Sequence, residues 1–302
     1  TTYGNVGLAA YDANGTILWS WHIWIQPEVK VVSLGAYTVM DRNLGATYAP
    51  EGTTFEGKNF NASLGLYYQW GRKDPFFPPY STYTTNTSTQ PWFRKDYDGT
   101  WEKQNANTVT AKGTIPQSVQ QPLSYYYSGN TYWQTSYTGN KGQANDLWGY
   151  VGSAGTIGDS FAKTMYDPCP PGYRVPGNAI WENRADGMKS QKLTNSSSGF
   201  AGYDFSIANM IHIYYPGAVC IAEGELKQTD EINGVGGDYT YLYSATPYDP
   251  SLYGQTDAEH KGLAYHFRYG GTNDTPVLVA DPVRYHVKRS AAYPVRCVSR
   301  TR

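Results

Sequence analysis

Asn14-Gly15 separates two runs that mix polar and apolar residues, 5–11 and 16–25. An Asn-Gly pair supplies the positive φ angles of a tight two-residue turn, so the runs are predicted to pair as a β-hairpin. In the second run Ile17, Trp19, Trp21, Ile23 and Ile25 share one face, and Leu18, Ser20, His22 and Trp24 share the other. Both faces carry large apolar groups. This predicts a strand covered on both sides, with Trp19 and Trp21 in the core. Residues 31–40 read as one more strand, ending at Asp41-Arg42-Asn43-Leu44-Gly45. The aromatic-rich stretch 64–72 follows, as a strand or a short helix.

The pattern changes between Lys73 and Asn145. Apolar periodicity fades, and Pro, Thr, Ser, Asn and Tyr dominate, as in Phe76-Phe77-Pro78-Pro79-Tyr80 and Tyr125-Tyr126-Tyr127. A structureless loop of that length is foreign to a compact domain, and the density of rings argues against disorder. The expectation is an insertion folded over the core through its aromatics. Further on, 178–186 has a capping Asn178 and helical spacing of Ile180, Trp181 and Arg184, which adds Trp181 to the expected core. Residues 211–215, 219–222, 239–244, 264–269 and 294–298 read as strands. The predicted class is α+β, dominated by antiparallel β-strands with few short helices and long loops. One domain is expected over 1–302, with an N-terminal β-hairpin at 1–26 and a Tyr/Ser/Thr-rich insertion at 73–145.

Aromatics make up 16% of the 302 residues, charged residues only 16%, and the net charge is −1. No basic excess is available to neutralise phosphates, which excludes nucleic acid as a partner and a polybasic membrane contact with it. Apolar runs stop short of the ~20 residues of a membrane helix. The chain opens at Thr1 with neither Met nor a signal peptide, so a targeting segment is expected upstream. The balance suits a β-rich extracellular protein.

Cys169, Cys220 and Cys297 are too few for a disulfide scaffold and contain no C-x-x-C. Cys169 and Cys297 lie in two extended, proline-marked stretches, 167–176 and 293–298. That suggests a bridge between them and an oxidising compartment. Three reduced, buried thiols are the alternative. Cys220, flanked by Val219 and Ile221, reads as a buried free thiol.

Several segments fall in a telling order. They are Met40-Asp41-Arg42-Asn43-Leu44-Gly45-Ala46, Gly65-Leu66-Tyr67-Tyr68-Gln69-Trp70-Gly71-Arg72, Asp146-Leu147-Trp148-Gly149, Tyr166-Asp167-Pro168-Cys169-Pro170-Pro171-Gly172-Tyr173-Arg174-Val175-Pro176, Tyr243-Ser244-Ala245-Thr246 and Val295-Arg296-Cys297. Together they resemble the Fibrobacter-type major paralogous domain of Bacteroidales surface proteins, among them fimbrillin-type, cell-adhesion and pilus-tip proteins. Leu18-Trp19-Ser20-Trp21-His22-Ile23-Trp24 resembles the lead-in segment of the same group. The matches span most of the chain outside 73–145. The resemblance implies a C-type-lectin-like fold, in the branch shared with formylglycine-generating enzymes, with Arg174-Val175-Pro176 and Trp181-Glu182 at matching positions. That fold sets the strand with Arg296-Cys297 beside the main helix region, where a Cys169–Cys297 bridge fits. The resemblance also implies a cell-surface or fimbrial location, and a host or bacterial glycan or protein, or further pilus subunits, as partners.

Enzymatic readings find less support. Cys297 lacks the nearby second cysteine that formylglycine-generating redox chemistry requires. His22, His212, His260, His266 and His286 form no H-E-x-x-H, and no G-x-S-x-G is present. The expected function is therefore a non-enzymatic adhesion domain. An enzyme of unknown reaction in the same loop region and a purely structural pilus subunit are the alternatives. No cofactor is expected; calcium is the one candidate, for which Asp96-Tyr97-Asp98-Gly99 and 229–233 offer loop oxygens, but solvated turn acids are the favoured reading of both stretches. Aromatic rings stack on sugar faces and anchor protein interfaces. The candidate rings are Trp92, Trp101, Tyr125, Tyr126, Tyr127 and Trp133, with the 225–241 loops beside them. A small core for the insertion is the competing use of the same rings. Asp41, Arg42, Asn43, Arg174 and Arg296 are expected to be buried and paired.

Overall fold

The structure is a computed structural model. It describes residues 3–26, 28–34, 37–49, 62–76, 92–95, 101–104, 107–127, 133, 145–151, 161–177, 180, 189–195, 199–207, 211–216, 220–222, 225–227, 239–248, 263–270 and 286–299. The first strands are β1 Gly4–Tyr11, β2 Ile17–Ile25, β3 Val31–Leu34, β4 Tyr37–Met40, β5 Tyr67–Gln69, β6 Trp92–Lys95, β7 Trp101–Gln104, β8 Asn107–Val109, β9 Ser124–Tyr126 and β10 Tyr173–Arg174. The later ones are β11 Lys189–Asn195, β12 Gly199–Ile207, β13 Ile211–Pro216, β14 Cys220–Ala222, β15 Glu225–Lys227, β16 Tyr239–Pro247, β17 Leu263–Gly270, β18 His286–Lys288, β19 Ala292–Pro294 and β20 Val298–Ser299. Helix α1, Ile115–Gln120, opens with a capping box between Thr114 and Gln117 and a proline in its first turn. A helical turn also occupies 62–64. Among the described residues every strand pairing is antiparallel except that of β8 with β9. The chain is thus a β-rich α+β protein. Among the same residues no helix is long and apolar enough to cross a membrane.

The predicted first hairpin is present. Asp12 Oδ1 accepts from the Asn14 and Thr16 amides, and Gly15 adopts φ 81°, a left-handed conformation that glycine enters without a Cβ penalty. Residues 31–40, predicted as one strand, are two. β3 turns back on β4 with Leu34 opposite Tyr37, and Gly35-Ala36 interrupts the apolar run at that point. Of the predicted helix 178–186 only Ile180 lies within the described residues; it is helical and fully buried. Trp181 lies outside them.

Two four-stranded sheets share one stretch of chain. Their orders are β10-β20-β4-β3 and β15-β14-β19-β5. Residues 292–299 supply an interior strand to each. Between β19 and β20 the chain continues to pair, with Met40 N–H donating to Cys297 O and Leu44 N–H to Val295 O. The main core packs around this crossover and contains Trp70, Trp148, Tyr68, Tyr243, Tyr293 and Val295. Its rings meet at tilted or edge angles, Trp70 to Trp148 at 5.5 Å and Tyr243 to Tyr293 at 5.0 Å, geometries favoured by the ring quadrupole. A second cluster gathers Val39, Ile180, Phe205, Ile213, Leu242 and Val298. Cys169 and Cys297 form a disulfide with a Cα–Cα distance of 5.8 Å and a sequence separation of 128.

The hairpin differs from expectation in one respect. Its polar face is inward and its apolar face outward. Trp21 is 49% exposed, so it is not a core residue. Trp19 is half-buried, with Lys73 Nζ 4.3 Å from its ring centre. The physical reason is that the polar side chains find hydrogen-bond partners on the body. Asn5 Nδ2 donates to Gly45 O at 2.8 Å, Trp24 Nε1 donates to Ala46 O at 3.0 Å, and Ser20 Oγ donates to Asp74.

Candidate functional site

β5 and the residues that follow it form a hub whose polar atoms hold other segments in place. Gln69 Nε2 donates to Tyr126 O at 2.9 Å and Ser290 O at 2.6 Å. The Gln69 side-chain oxygen accepts from Arg72 Nη1 at 3.1 Å. Arg72 is fully buried; it also donates to Ser124 O at 2.6 Å, Pro122 O at 2.9 Å and Ser118 O at 3.4 Å. Its guanidinium lies 4.8 Å from the Phe76 ring centre and 5.7 Å from those of Tyr126 and Trp133. Burial pulls the Arg72 pKa down to about 10, against the field of Asp74, and leaves the group charged at neutral pH. The Trp70 and Arg72 carbonyls each receive an indole N–H, from Trp133 at 2.9 Å and Trp148 at 3.1 Å. Trp70 Nε1 in turn donates to Ser244 O at 2.9 Å.

This hub decides the fate of the candidate binding rings. Tyr125, Tyr126 and Trp133 are buried. Tyr125 donates to Ser290 O at 2.6 Å and meets Phe76 edge-on at 5.4 Å. Tyr126 and Trp133 stack at 6.1 Å. The expectation that these three rings stand on the surface to meet a ligand is corrected: in this structure they join the insertion to the core. Tyr127 is half-buried. Trp92 sits opposite Gln104 and Trp101 opposite Lys95 in the β6–β7 hairpin; their side chains lie outside the description. So do the acids at 96–98 and 229–233, the 228–238 loop and the Cys220 side chain.

The charges of the ordered motifs are buried, or half-buried in the case of Asp41, and each is hydrogen-bonded, close to the expectation. Arg42 forms a two-pronged pair with Asp41, at 2.8 and 2.9 Å. Asn43 donates to Leu64 O at 3.0 Å and accepts from Arg296 Nε at 2.9 Å. Arg296 is fully buried, 4.2 Å from the Tyr215 ring centre. Burial pulls its pKa down, while Tyr215 and Asp41 oppose the shift. Arg174 lies 4.1 Å from the Phe161 ring centre and donates to Val175 O. Asp167 accepts from Lys163 Nζ and from the Cys169 and Val175 amides at 2.8, 2.8 and 3.1 Å. Burial raises its pKa against those bonds. It shapes the loop that presents Cys169 to Cys297.

One cluster escaped sequence reasoning. Lys73 Nζ donates to Ser20 Oγ at 2.5 Å, Asp74 Oδ1 at 2.7 Å and Ser20 O at 2.9 Å, while Ser20 Oγ donates to Asp74 Oδ1 at 2.5 Å. Burial lowers the lysine pKa against Asp74. A serine beside a lysine is the layout of a nucleophile with an amine base. Here the serine proton is directed to Asp74, and the ammonium is held by three acceptors. The cluster acts as a staple between β2 and residues 73–74. No family model, curated protein or solved structure matches this chain. Among the described residues no group of three or more His, Cys, Asp and Glu is placed to hold a metal ion.

Proposed function

We propose that this chain is an extracellular binding domain, a disulfide-tied scaffold that displays loops to a glycan or protein at a cell surface. The observation that supports this reading is the use of its buried polar groups. Arg72, Arg174, Gln69, Asn43 and Asp167 each make at least one hydrogen bond to a main-chain atom of another segment or of their own loop. Groups used in this way fix the bases of loops, and loops on a rigid scaffold are where binding residues concentrate. With Tyr125, Tyr126 and Trp133 committed to the interior, Trp92 and Trp101 of the β6–β7 hairpin are the remaining aromatic candidates from the insertion, with Tyr127 beside them.

A glycan and matrix-protein array, run with and without calcium, tests the proposal. The double change Trp92→Ala/Trp101→Ala should lose the bound spots and keep the melting temperature. An empty array under both conditions, or binding unchanged in the double variant, overturns it. A second reading, a structural subunit of a larger assembly, is favoured by one observation, the outward apolar face of the first hairpin.

A further inference from the structure

The first hairpin turns its apolar side to solvent. Val6, Leu8, Trp21, Ile23 and Ile25 are between 39% and 54% exposed. The register sets Val6 opposite Ile23 and Leu8 opposite Trp21, so these side chains form one contiguous face. It carries no charge. Soluble proteins place such a face against the core, but this hairpin cannot turn over to do so. Its other side is fastened by Ser20 to Asp74 and Lys73, by Asn5 to Gly45 O and by Trp24 to Ala46 O. His22 bonds Asn5 on that same side at 2.8 Å, with its pKa pushed down to about 4 by burial.

We infer that this face is a homodimer contact, in which two copies stack their β1–β2 outer faces across a two-fold axis. An uncharged apolar sheet face is complementary to itself, and a two-fold contact of this kind closes without leaving a further sticky surface. Pairing through the β1 edge instead would join two such faces side by side and leave both wet. A net charge of −1 sets up little repulsion between copies. The size also fits. At roughly 150–250 Å² for a fully exposed large side chain, the five residues offer about 400 Å² per copy. Tyr11, 60% exposed, sits opposite Ile17 and extends the same face. With it a pair buries about 1,000 Å² in total, the size of a weak, transient contact. The hairpin is already fastened, so little ordering opposes the contact. A weak dimer is expected, with Kd in the range of about 10–100 µM.

Sedimentation equilibrium of the wild-type chain from 1 to 200 µM tests the inference. A monomer–dimer equilibrium insensitive to salt between 0.05 and 0.5 M is expected. Ile23→Lys and Leu8→Lys should each raise the dissociation constant at least about ten-fold while keeping the disulfide and the melting temperature. If either variant unfolds, the milder Leu8→Ser takes its place, with a smaller rise expected. A wild-type chain that stays monomeric at 200 µM overturns the inference. So does a dimer that dissociates with salt, or one equally tight in the variants. The array variants Trp92→Ala/Trp101→Ala should dimerise normally, so this contact and the ligand-binding reading stand or fall separately.

Discussion

Replacing Arg72 by Met removes the guanidinium and keeps most of the side-chain volume. Three main-chain carbonyls, of Ser118, Pro122 and Ser124, then lose their donor, as does the Gln69 side chain. A buried acceptor left without a partner costs ~1–3 kcal/mol. Set against this, the variant no longer desolvates a cation, which offsets part of the loss. The expected net destabilisation is about 3–5 kcal/mol. With an unfolding entropy of about 2.1 cal/mol/K per residue, 4 kcal/mol lowers Tm by about 6 °C for a chain that unfolds as one unit. The loss should be local first, because the main-chain carbonyls that the Arg72 side chain holds all lie in 118–124. Hydrogen exchange read by mass spectrometry should accelerate across 107–127, while β5 and β19 keep their protection. Arg72→Lys should recover little, since one ammonium cannot span both edges of the guanidinium site. A Tm within 1 °C of wild type, or unchanged exchange at 107–127, would show that the aromatic stack holds the insertion without the cation.

Three more outcomes are expected. Mass mapping of unreduced peptides should find Cys169 joined to Cys297, and the Cys169→Ser/Cys297→Ser protein should lose about 5 kcal/mol, the chain-entropy value for a 128-position loop; a loss below 1 kcal/mol would contradict it. His22 stays neutral in the folded chain down to about pH 4, while the unfolded chain protonates it near pH 6.5, so the unfolded state binds more protons in between. Stability should therefore fall as pH drops from 6.5 towards 4, by at most ~3 kcal/mol from this group, and His22→Gln should flatten that slope in urea titrations at each pH. A Cβ added to Gly65, at φ 77°, would lie 2.7 Å from Leu44 O, so Gly65→Ala should cost several kcal/mol in chemical denaturation, whereas Ala at the exposed Gly7 should cost under 1 kcal/mol.

Local chemistry made much of this legible. Asn14-Gly15 named its turn, β16 and β17 announced themselves as apolar runs, and the proline-flanked cysteines met as expected. The errors arose where distant partners decide. Nothing near Ser20 reveals that Asp74 and Lys73 will meet it, so alternation alone could not say which face of β2 turns inward. The aromatics of 125–133 have the composition of a binding surface and of a small core alike. Their use depends on Gln69, Trp70 and Arg72, which lie dozens of residues upstream. Residues 31–40 looked continuous because periodicity of two is the same on both sides of a tight reversal.

Residues 292–299 give the order of assembly a particular shape. A chain emerging from its N-terminus can form the first hairpin and the β11–β12–β13 meander from neighbouring sequence. It cannot complete either four-stranded sheet until this late stretch arrives, because β19 must enter between β14 and β5, and β20 between β10 and β4. Until then β5 and β4 hold open edges and Cys169 is a thiol, with Cys220 reaching it before Cys297 does. Folding is therefore gated by delivery of one short segment. A secretion or refolding protocol that oxidises early should accumulate the wrong cysteine pair, and one that oxidises late should not.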